Sequence, residues 1–239
     1  MDEEAALREA RRKEREEQHL YLTARVVTED TYRAHSGTDL ATFESPDKDP
    51  GAARSYRVLR NSTIQDLASR VGQDIGHDPR VLRFWYMVNR QNRTIRPDQP
   101  LLDVNQTLEQ SHQKLVGAKS QEIRLWVEVA EDIDEKGEPI WHGFSYVNGA
   151  LVKSDSILLF LKWFDVDNQV LRGIGHVYIG KDRRVEELVP LILKKMGWPE
   201  KSSTDDSTQL KLYEVSLPLW HFSLSNAWYR KSSLRWWIL

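Results

Sequence analysis

The stretch Ser156–Gly197, SILLFLKWFDVDNQVLRGIGHVYIGKDRRVEELVPLILKKMG, contains the pattern that decides the fold. Two strand-like apolar runs, SILLFLKWF and IGHVYIG, are separated by a polar turn. After them, apolar residues recur at steps of 0, 3, 4, 7 and 11, which places them on one helical face: Val185, Leu188, Val189, Ile192 and Met196. Gly197 follows as the expected helix stop. The stretch therefore predicts two paired strands and an amphipathic helix.

The same pattern occurs a second time, 121 positions earlier in the chain. The earlier helical face has the same five steps and the same closing glycine: Ile64, Leu67, Ala68, Val71, Ile75 and Gly76. Tyr56 and Val58, on the strand before that helix, match Val177 and Ile179 at the same offset. This agreement favours two copies of one structural unit. The alternative is that any two strand-and-helix units can be aligned through their apolar residues.

Composition limits the classes of protein to be considered. The chain has 239 residues, which leaves room for one or two domains of about 100 to 150 residues each. Its formal net charge of -2 argues against a general nucleic-acid binder, which normally carries a clear positive excess. The chain has no cysteine, which excludes disulfides, thiolate metal sites and a thiol nucleophile within it.

Hydropathy gives an expectation for the compartment. No apolar run reaches the roughly 18 residues that are needed to span a bilayer. The N-terminus is highly charged and does not have the pattern of a signal peptide. We therefore expect an intracellular protein, nuclear or cytoplasmic, with no membrane partner.

The order of elements in the first half matches one known topology. Residues 1–18 are mostly charged residues and alanine, with Glu4 and Arg8 spaced to form an exposed ion pair, and they predict a helical lead-in. Apolar patterns predict strands at residues 19–28, 54–60, 80–89 and 121–130, a helix at 64–75 and a brief helix near 101–108. Residues 29–54 and the basic tract 90–97 are predicted to be loops. This order is that of the ubiquitin-like β-grasp, an α+β fold, over residues 19–130.

The second half is predicted to repeat this fold less completely. An acidic connector at residues 131–153 leads to a second domain at 154–214, whose third strand is LKLYEV, Leu210–Val215. The tail at 215–239 has no acidic residue and contains four of the nine tryptophans. Either SLRWWIL at its end forms the closing strand, with Leu234, Trp236 and Ile238 on one face, or the second domain is incomplete.

No motif of catalytic or metal-binding chemistry is present. None of the seven histidines has a partner at metal-ligand spacing. Asp165, Asp167 and Asn168 resemble the start of a calcium loop, but Val170 occupies the position that requires glycine, and His176 the position that requires glutamate. We assign no catalytic, cofactor-binding or metal-binding residue and no cofactor. The sequence favours a binding module over an enzyme.

Five stretches resemble a known family, the herpesvirus-associated ubiquitin-specific proteases (HAUSP). They are EEQHLYLTARVVTED (16–30), RVLRFWYMVNRQNRTIRP (80–97), ILLFLKWFDVDNQVLRGIGHVYIG (157–180), VEELVPLILKKMGWP (185–199) and LKLYE (210–214). The resemblance covers about residues 3–214 and is to the first two ubiquitin-like domains after the catalytic domain, the viral immediate-early protein-binding region. Its most specific points are Arg83, Trp85, Arg96, Pro97, Gly175, His176 and Tyr178.

The resemblance implies a docking platform for viral and nuclear partners. Such partners place basic segments against an acidic patch in the segment after the third strand of the second domain. This chain diverges from the family in that segment, from Val215 onward, so the partner-binding residues stay unassigned. The family's Cys, His, Asp triad belongs to an upstream catalytic domain, and the activity itself does not carry over to a chain without cysteine.

The combined prediction is a tandem of β-grasp domains that acts as a noncatalytic protein-interaction region of a deubiquitinase. It binds proteins and not nucleic acid, and it is no enzyme by itself. One alternative is a self-contained enzyme with an unrecognised site, for which clefts near His142 or His176 are the best candidates. The other alternative is a nonfunctional fragment.

Overall fold

The computed structural model describes residues 4, 7–9, 12, 17–43, 49–91, 94–115, 121–147, 150–198, 210–213 and 235–238. By their contacts these residues form two units. The first unit contains the described residues within 1–28, 53–88 and 97–139. The second unit contains those within 29–52, 89–96 and 140–239. Each unit is described by itself below.

Helices lie at α1 Glu29–Ala34, α2 Ile64–Ile75, α3 Leu108–Leu115 and α4 Leu188–Met196, and short 3₁₀ turns at Gln18–Leu20, Pro79–Val81 and Val185–Glu187. In the predicted lead-in, residues 4, 7–9, 12 and 17 are helical. Glu4 and Arg8 form the expected exposed ion pair, with 2.7 Å between Oε1 and Nη2.

A five-stranded sheet organises the first unit. Its strands are β1 Tyr21–Val27, β2 Arg54–Leu59, β3 Leu82–Asn89, β4 Ile95–Leu101 and β5 Glu122–Val129, in the order β2-β1-β5-β3-β4. The central strands β1 and β5 are parallel, whereas β2 is antiparallel to β1 and β3 is antiparallel to β5. This mixed sheet with one long helix is the predicted ubiquitin-like fold. The loop predicted for residues 90–97 is wrong at its end, because Ile95, Arg96 and Pro97 belong to β4.

The helix α2 supplies the centre of the first core. Thr63 caps it by accepting a hydrogen bond from the Asp66 amide, and Gly76 ends it in the left-handed conformation with φ of 74°. The predicted apolar face is confirmed, because Ile64, Leu67, Ala68 and Val71 are all buried, and Ile75 packs beside them. Strand residues from β1, β2, β3 and β5 complete this core: Leu22, Ala24, Val26, Tyr56, Val58, Leu82, Phe84, Tyr86, Ile123, Leu125 and Val127.

A second sheet organises the second unit. Its strands are β10 Ser156–Asp165, β11 Val170–Gly180, β12 Leu210–Tyr213 and β13 Arg235–Ile238, in the order β11-β10-β13-β12. The predicted hairpin is confirmed as β10 and β11, and α4 packs Leu188 and Ile192 against Leu161, Ile174 and Val177. The predicted helical face is wrong at its first residue. Val185 lies in the 3₁₀ turn before α4 and is 55% exposed.

The end of the tail adds a strand, but in an unexpected direction. The strand β13 is antiparallel to β10 and parallel to β12. The corresponding strand of the first sheet, β5, is parallel to β1 and antiparallel to β3. The tail therefore closes the second sheet with the reverse polarity of the first. Of the residues of SLRWWIL, Ser233, Leu234 and Leu239 lie outside the described part.

Two small hairpins lie where a connector was predicted. They are β6 Asp132–Ile133 with β7 Pro139–Ile140, and β8 Phe144–Val147 with β9 Ala150–Lys153. Across the part of the chain that the structure describes, no helix is long and apolar enough to cross a membrane.

The loop predicted for residues 29–54 is wrong in its first part. Residues 29–34 form α1, in which Thr31 and Tyr32 are buried. Thr28 precedes the helix, Glu29 and Asp30 lie in its first turn, and Glu29 and Arg33 form an i, i+4 ion pair of 3.1 Å. These start signals predict a short helix at this position, and the polar composition of residues 35–54 obscured them.

Candidate functional site

Two of the most specific residues, Arg83 and Trp85, lie on the face of the first sheet opposite α2. Their neighbours Phe84 and Tyr86 point into the core, and side chains alternate along a strand. Arg83 stands directly opposite Glu128 in the antiparallel pair of β3 and β5. Its Nε and Nη2 donate to Glu128 Oε2 at 2.9 and 2.8 Å, and Trp85 Nε1 donates to the same oxygen at 2.6 Å.

This ion pair is taken out of water. The side chains of Arg83 and Glu128 are each 4% exposed. The Arg83 guanidinium also lies 5.1 Å from the centre of the Trp85 ring, which in turn packs against Trp126. A buried charge is tolerated only when its partner is present, so these side chains specify how β3 and β5 pair.

Arg96, at the start of β4, makes comparable contacts within the second unit, to which residues 89–96 belong. Its Nη1 donates to Asp39 Oδ1 at 2.7 Å, and its Nη2 donates to the Thr38 carbonyl at 3.0 Å. The Ile95 amide donates to the same Asp39 oxygen at 3.0 Å. Arg96 therefore holds the segment that follows α1.

Gly175 and His176 lie on β11, where α1 packs. His176 is buried, and its Nδ1 lies 3.4 Å from Glu29 Oε2. A Cβ at Gly175 would lie 2.6 Å from Glu29 Oε1, and the φ of 135° at this position is a conformation that residues with a side chain rarely adopt. Burial raises the pKa of Glu29, but His176 and Arg33 outweigh it and leave the pKa below its usual value.

Tyr178 and the two histidines considered for an enzyme lie together. The ring of His142 is centred 5.6 Å from that of Tyr178, and the ring of His176 lies 6.0 Å from it on edge. His176 also packs 6.3 Å from Phe160. These contacts support a packing role for both histidines.

The residues that resembled a calcium loop form a hairpin turn. Asp165 accepts hydrogen bonds from the backbone amide and from Nδ2 of Asn168, at 3.1 and 2.8 Å. These bonds hold the pKa of Asp165 below its usual value. Within the described ranges, no group of three or more histidine, cysteine, aspartate or glutamate side chains is arranged to hold a metal ion.

Lys162 is a buried residue that no sequence motif marks. It is 5% exposed, donates from Nζ to the Gly37 carbonyl at 2.6 Å and lies 4.9 Å from the centre of the Tyr32 ring. Tyr32 Oη in turn donates to the Leu161 carbonyl at 2.7 Å. These bonds attach the α1 segment to β10. The sequence contains one signal for this role. Lys162 interrupts an otherwise apolar predicted strand, and a lysine is rarely buried unless its ammonium group has a partner.

Burial lowers the pKa of Lys162 to about 8 from 10.5, with a further contribution from the charge of Arg96 and opposition from Asp39. Between these two pKa values the Lys162 amine is protonated in the unfolded chain and largely neutral in the folded chain, so the unfolded chain binds more protons than the folded chain. We therefore expect the free energy of unfolding of the second unit to rise by up to about 1.4 kcal/mol per pH unit from pH 8 to 10. Above pH 10 the sign reverses, because burial raises the pKa of Tyr32 above its ordinary 10.0.

Urea unfolding at a series of pH values checks this prediction. Lys162→Met should abolish the rise, whereas Lys181→Met, which changes an exposed lysine of the same unit, should keep it. An equal rise in the wild type and in Lys162→Met would contradict the assignment. His35, whose pKa is lowered by burial and by Lys162, is neutral throughout this pH range.

The fold and these contacts define the class of the protein: an α+β chain that contains a ubiquitin-like β-grasp domain. Residues 82–218 match the family model described as the ICP0-binding domain of ubiquitin-specific protease 7. This is more than half of the chain, and the chain belongs to that family. It is therefore an interaction region of the ubiquitin-specific proteases.

Similar curated proteins are ubiquitin hydrolases. Two are from Schizosaccharomyces pombe. Ubiquitin carboxyl-terminal hydrolase 5 is 26% identical over 89% of this chain and 18% of that protein. Ubiquitin carboxyl-terminal hydrolase 15 is 30% identical over 83% of this chain and 17% of that protein. Ubiquitin carboxyl-terminal hydrolase 7 of Drosophila melanogaster is 25% identical over 92% of this chain and 18% of that protein. The chain spans less than a fifth of the length of these relatives.

Five of the seven residues most specific for this resemblance are engaged inside the fold. Arg83 and Trp85 bind Glu128, Arg96 binds Asp39, and Gly175 and His176 lie against Glu29. The three carboxylates were missed because they lie 43 to 147 positions away in the sequence from the residues that they bind. These residues build the scaffold, and we expect the contacts with partners to come from other, exposed residues.

Proposed function

We propose that this chain is a noncatalytic docking region of a ubiquitin-specific protease, built from tandem β-grasp domains. The observation that carries the proposal is the match of residues 82–218 to a family model described as a binding domain. The relatives that are ubiquitin hydrolases support the link to a protease. We further propose that it acts in the nucleus or cytoplasm; a fluorescent fusion confined to the secretory pathway would contradict this.

The tandem arrangement places the first domain at residues 19–130 and the second at 154–214, after a lead-in at 1–18 and a connector at 131–153. The recurrence of strand, strand, helix, strand supports it, as β1-β2-α2-β3 and again as β10-β11-α4-β12. The order of the two sheets also agrees, with β11-β10-β13-β12 matching β2-β1-β5-β3. In this proposal the tail at 215–239 contributes the closing strand, and α1 contributes to the second domain.

The partners proposed are proteins with basic segments, and not nucleic acid. The family resemblance supports this, because its acidic docking segment follows the third strand of the second domain. In this chain that position corresponds to residues 214–234, which lie outside the described part. The match to a domain that binds the viral protein named in its description supports a protein partner.

A titration tests the docking proposal. We expect the chain to bind a fluorescein-labelled, lysine-rich peptide saturably, measured by fluorescence anisotropy, and more weakly as salt is raised, because exposed charges are screened. The matched control is the same peptide with glutamine in place of each lysine, which should bind at least tenfold more weakly. Equal binding of the two peptides, or no saturable binding, would contradict the proposal.

The chain by itself should not hydrolyse ubiquitin conjugates. It contains no cysteine, and the thiol nucleophile of this protease class must come from elsewhere. A fluorogenic ubiquitin substrate should therefore release no fluorophore with the purified chain, while an active deubiquitinase in a parallel reaction releases it. Turnover that scales with the concentration of the chain would overturn the noncatalytic proposal.

A further inference from the structure

The outer edge of β2 has backbone groups that no described strand pairs with. In the antiparallel pair of β1 and β2, Thr23 stands opposite Arg57 and Tyr21 opposite Leu59. The Arg60 amide donates to the Leu20 carbonyl at 2.9 Å, so residues 54, 56, 58 and 60 bond to β1. Ser55, Arg57 and Leu59 consequently direct their amide and carbonyl groups away from the sheet, and all three residues are exposed.

Only some of these outward backbone groups have a hydrogen-bond partner within the chain. The Leu59 carbonyl accepts a bond from the Ser62 amide at 3.0 Å. The Arg57 carbonyl accepts one at 2.6 Å from Nη1 of Arg70, which reaches over from α2. In the described part of the chain, the amides of Ser55, Arg57 and Leu59 and the carbonyl of Ser55 have no such partner. An exposed edge of this kind can pair with an added strand.

The charge at this edge is positive. Within the described ranges, neither Arg57 nor Arg70 has a carboxylate partner: the Arg57 guanidinium stacks 4.0 Å from the Tyr21 ring, and Arg70 binds the Arg57 carbonyl. The neighbouring arginines differ, because Arg54 pairs with Asp74 at 2.7 Å and Arg60 pairs with Glu109 at 2.5 Å. Two uncompensated cations therefore flank the free amides.

Apolar surface lies at one end of the same edge. Leu59 is 40% exposed and stands opposite Tyr21, and Leu20, the residue before Tyr21, is 46% exposed. Alternate side chains of a partner strand would lie on the same face of the sheet as Leu59 and the Tyr21 ring. The edge thus has an apolar end, a row of donors and a pair of arginines.

We propose that the β2 edge of the first unit binds an extended acidic peptide segment of another protein by strand addition. The peptide backbone bonds to Ser55, Arg57 and Leu59. A peptide amide replaces the Arg70 guanidinium on the Arg57 carbonyl, and the released Arg70, together with Arg57, binds the carboxylates of the peptide. This site is in the first unit and binds an acidic partner, whereas the partner proposed above is basic. Each proposal can therefore fail without the other.

Backbone amide exchange, measured by NMR with and without peptide, tests this site. The probe is a synthetic peptide with a short run of valine and isoleucine followed by a run of glutamates. In the free chain the amides of Ser55, Arg57 and Leu59 should exchange quickly, and those of Tyr56 and Val58 slowly. The peptide should slow the exchange of the first three. Unchanged exchange at these amides, or protection elsewhere only, would overturn the proposal.

Two controls separate strand pairing from attraction between charges. The same peptide with alternate backbone nitrogens methylated keeps its charge but cannot complete the ladder, and it should bind at least tenfold more weakly. Equal binding by the methylated peptide would overturn the strand-addition mechanism. Binding of a second copy of the chain at this edge, detected as dimerisation with protection of the same amides in the absence of peptide, would overturn the choice of partner.

Variants complete the test. Arg57→Glu and Arg70→Glu should each weaken binding by about tenfold or more, whereas Arg183→Glu, an exposed arginine of the second unit, should leave it unchanged. Ser55→Pro removes an outward amide, a substitution that an edge strand tolerates, and should also weaken binding. An unchanged thermal midpoint establishes that each variant is folded. Full affinity in folded Arg57→Glu and Arg70→Glu would contradict the proposed role of these arginines.

Discussion

Glu128→Leu should lower the free energy of unfolding of the first unit by about 3 to 5 kcal/mol. The substitution removes the carboxylate that accepts bonds from Arg83 and Trp85 and leaves the Arg83 charge buried at 4% exposure. Leucine has a similar volume, so the loss reports the charge and not a cavity. Urea unfolding followed by tryptophan fluorescence measures it, because Trp85 and Trp126 lie beside the pair.

Two further variants show whether the buried charge is the cause. The double variant Arg83→Met, Glu128→Leu removes both charges and should recover most of the lost stability. Glu138→Leu, which changes an exposed glutamate of the same unit, should alter stability by no more than about 0.5 kcal/mol. A double variant that is as unstable as Glu128→Leu would show that packing, and not the unpaired charge, accounts for the loss.

Gly173→Ala should destabilise the second unit by about 2 kcal/mol or more, because the added methyl group collides with backbone. A Cβ at Gly173 would lie 2.3 Å from the Tyr32 carbonyl oxygen, which a rotation of a side chain cannot relieve. We expect α1 to detach from β11 and its amides to exchange faster. Thermal unfolding combined with amide exchange of residues 29–34 measures both effects.

Gly180→Ala is the matched control on the same strand. Its Cβ would contact Asp182 Oδ1 at 2.9 Å and Arg183 Cγ at 3.2 Å, and both of these side chains can move. We expect a change of no more than about 0.5 kcal/mol. Equal effects of the two substitutions would contradict the packing of α1 against β11.

The sequence predicted the elements whose signals are local and periodic. The five apolar steps of α2 and the alternation in β1 and β5 each repeat over at least two turns or six residues, and all three elements form. The helix α1 was missed because six residues give less than two turns of periodicity. Pro97 argued for a loop, but β4 is an edge strand, where proline is tolerated.

Long-range features could not be predicted from such patterns. The alternation of SLRWWIL predicts a strand without giving its direction, and β13 has the reverse polarity of its counterpart β5. The partners of Arg83 and His176 are 45 and 147 positions away. The family resemblance marked one member of each pair, and only the folded structure identified the other.

Two folded domains that form a docking region should be visible in the hydrogen exchange of the purified chain, measured with and without the lysine-rich peptide. We expect slow exchange in β1 and β5 and also in β10, β11 and α1 of the free chain. We further expect that the peptide slows exchange additionally within residues 140–239. Fast exchange throughout residues 140–239, with no change on adding the peptide, would contradict both the second domain and its docking role.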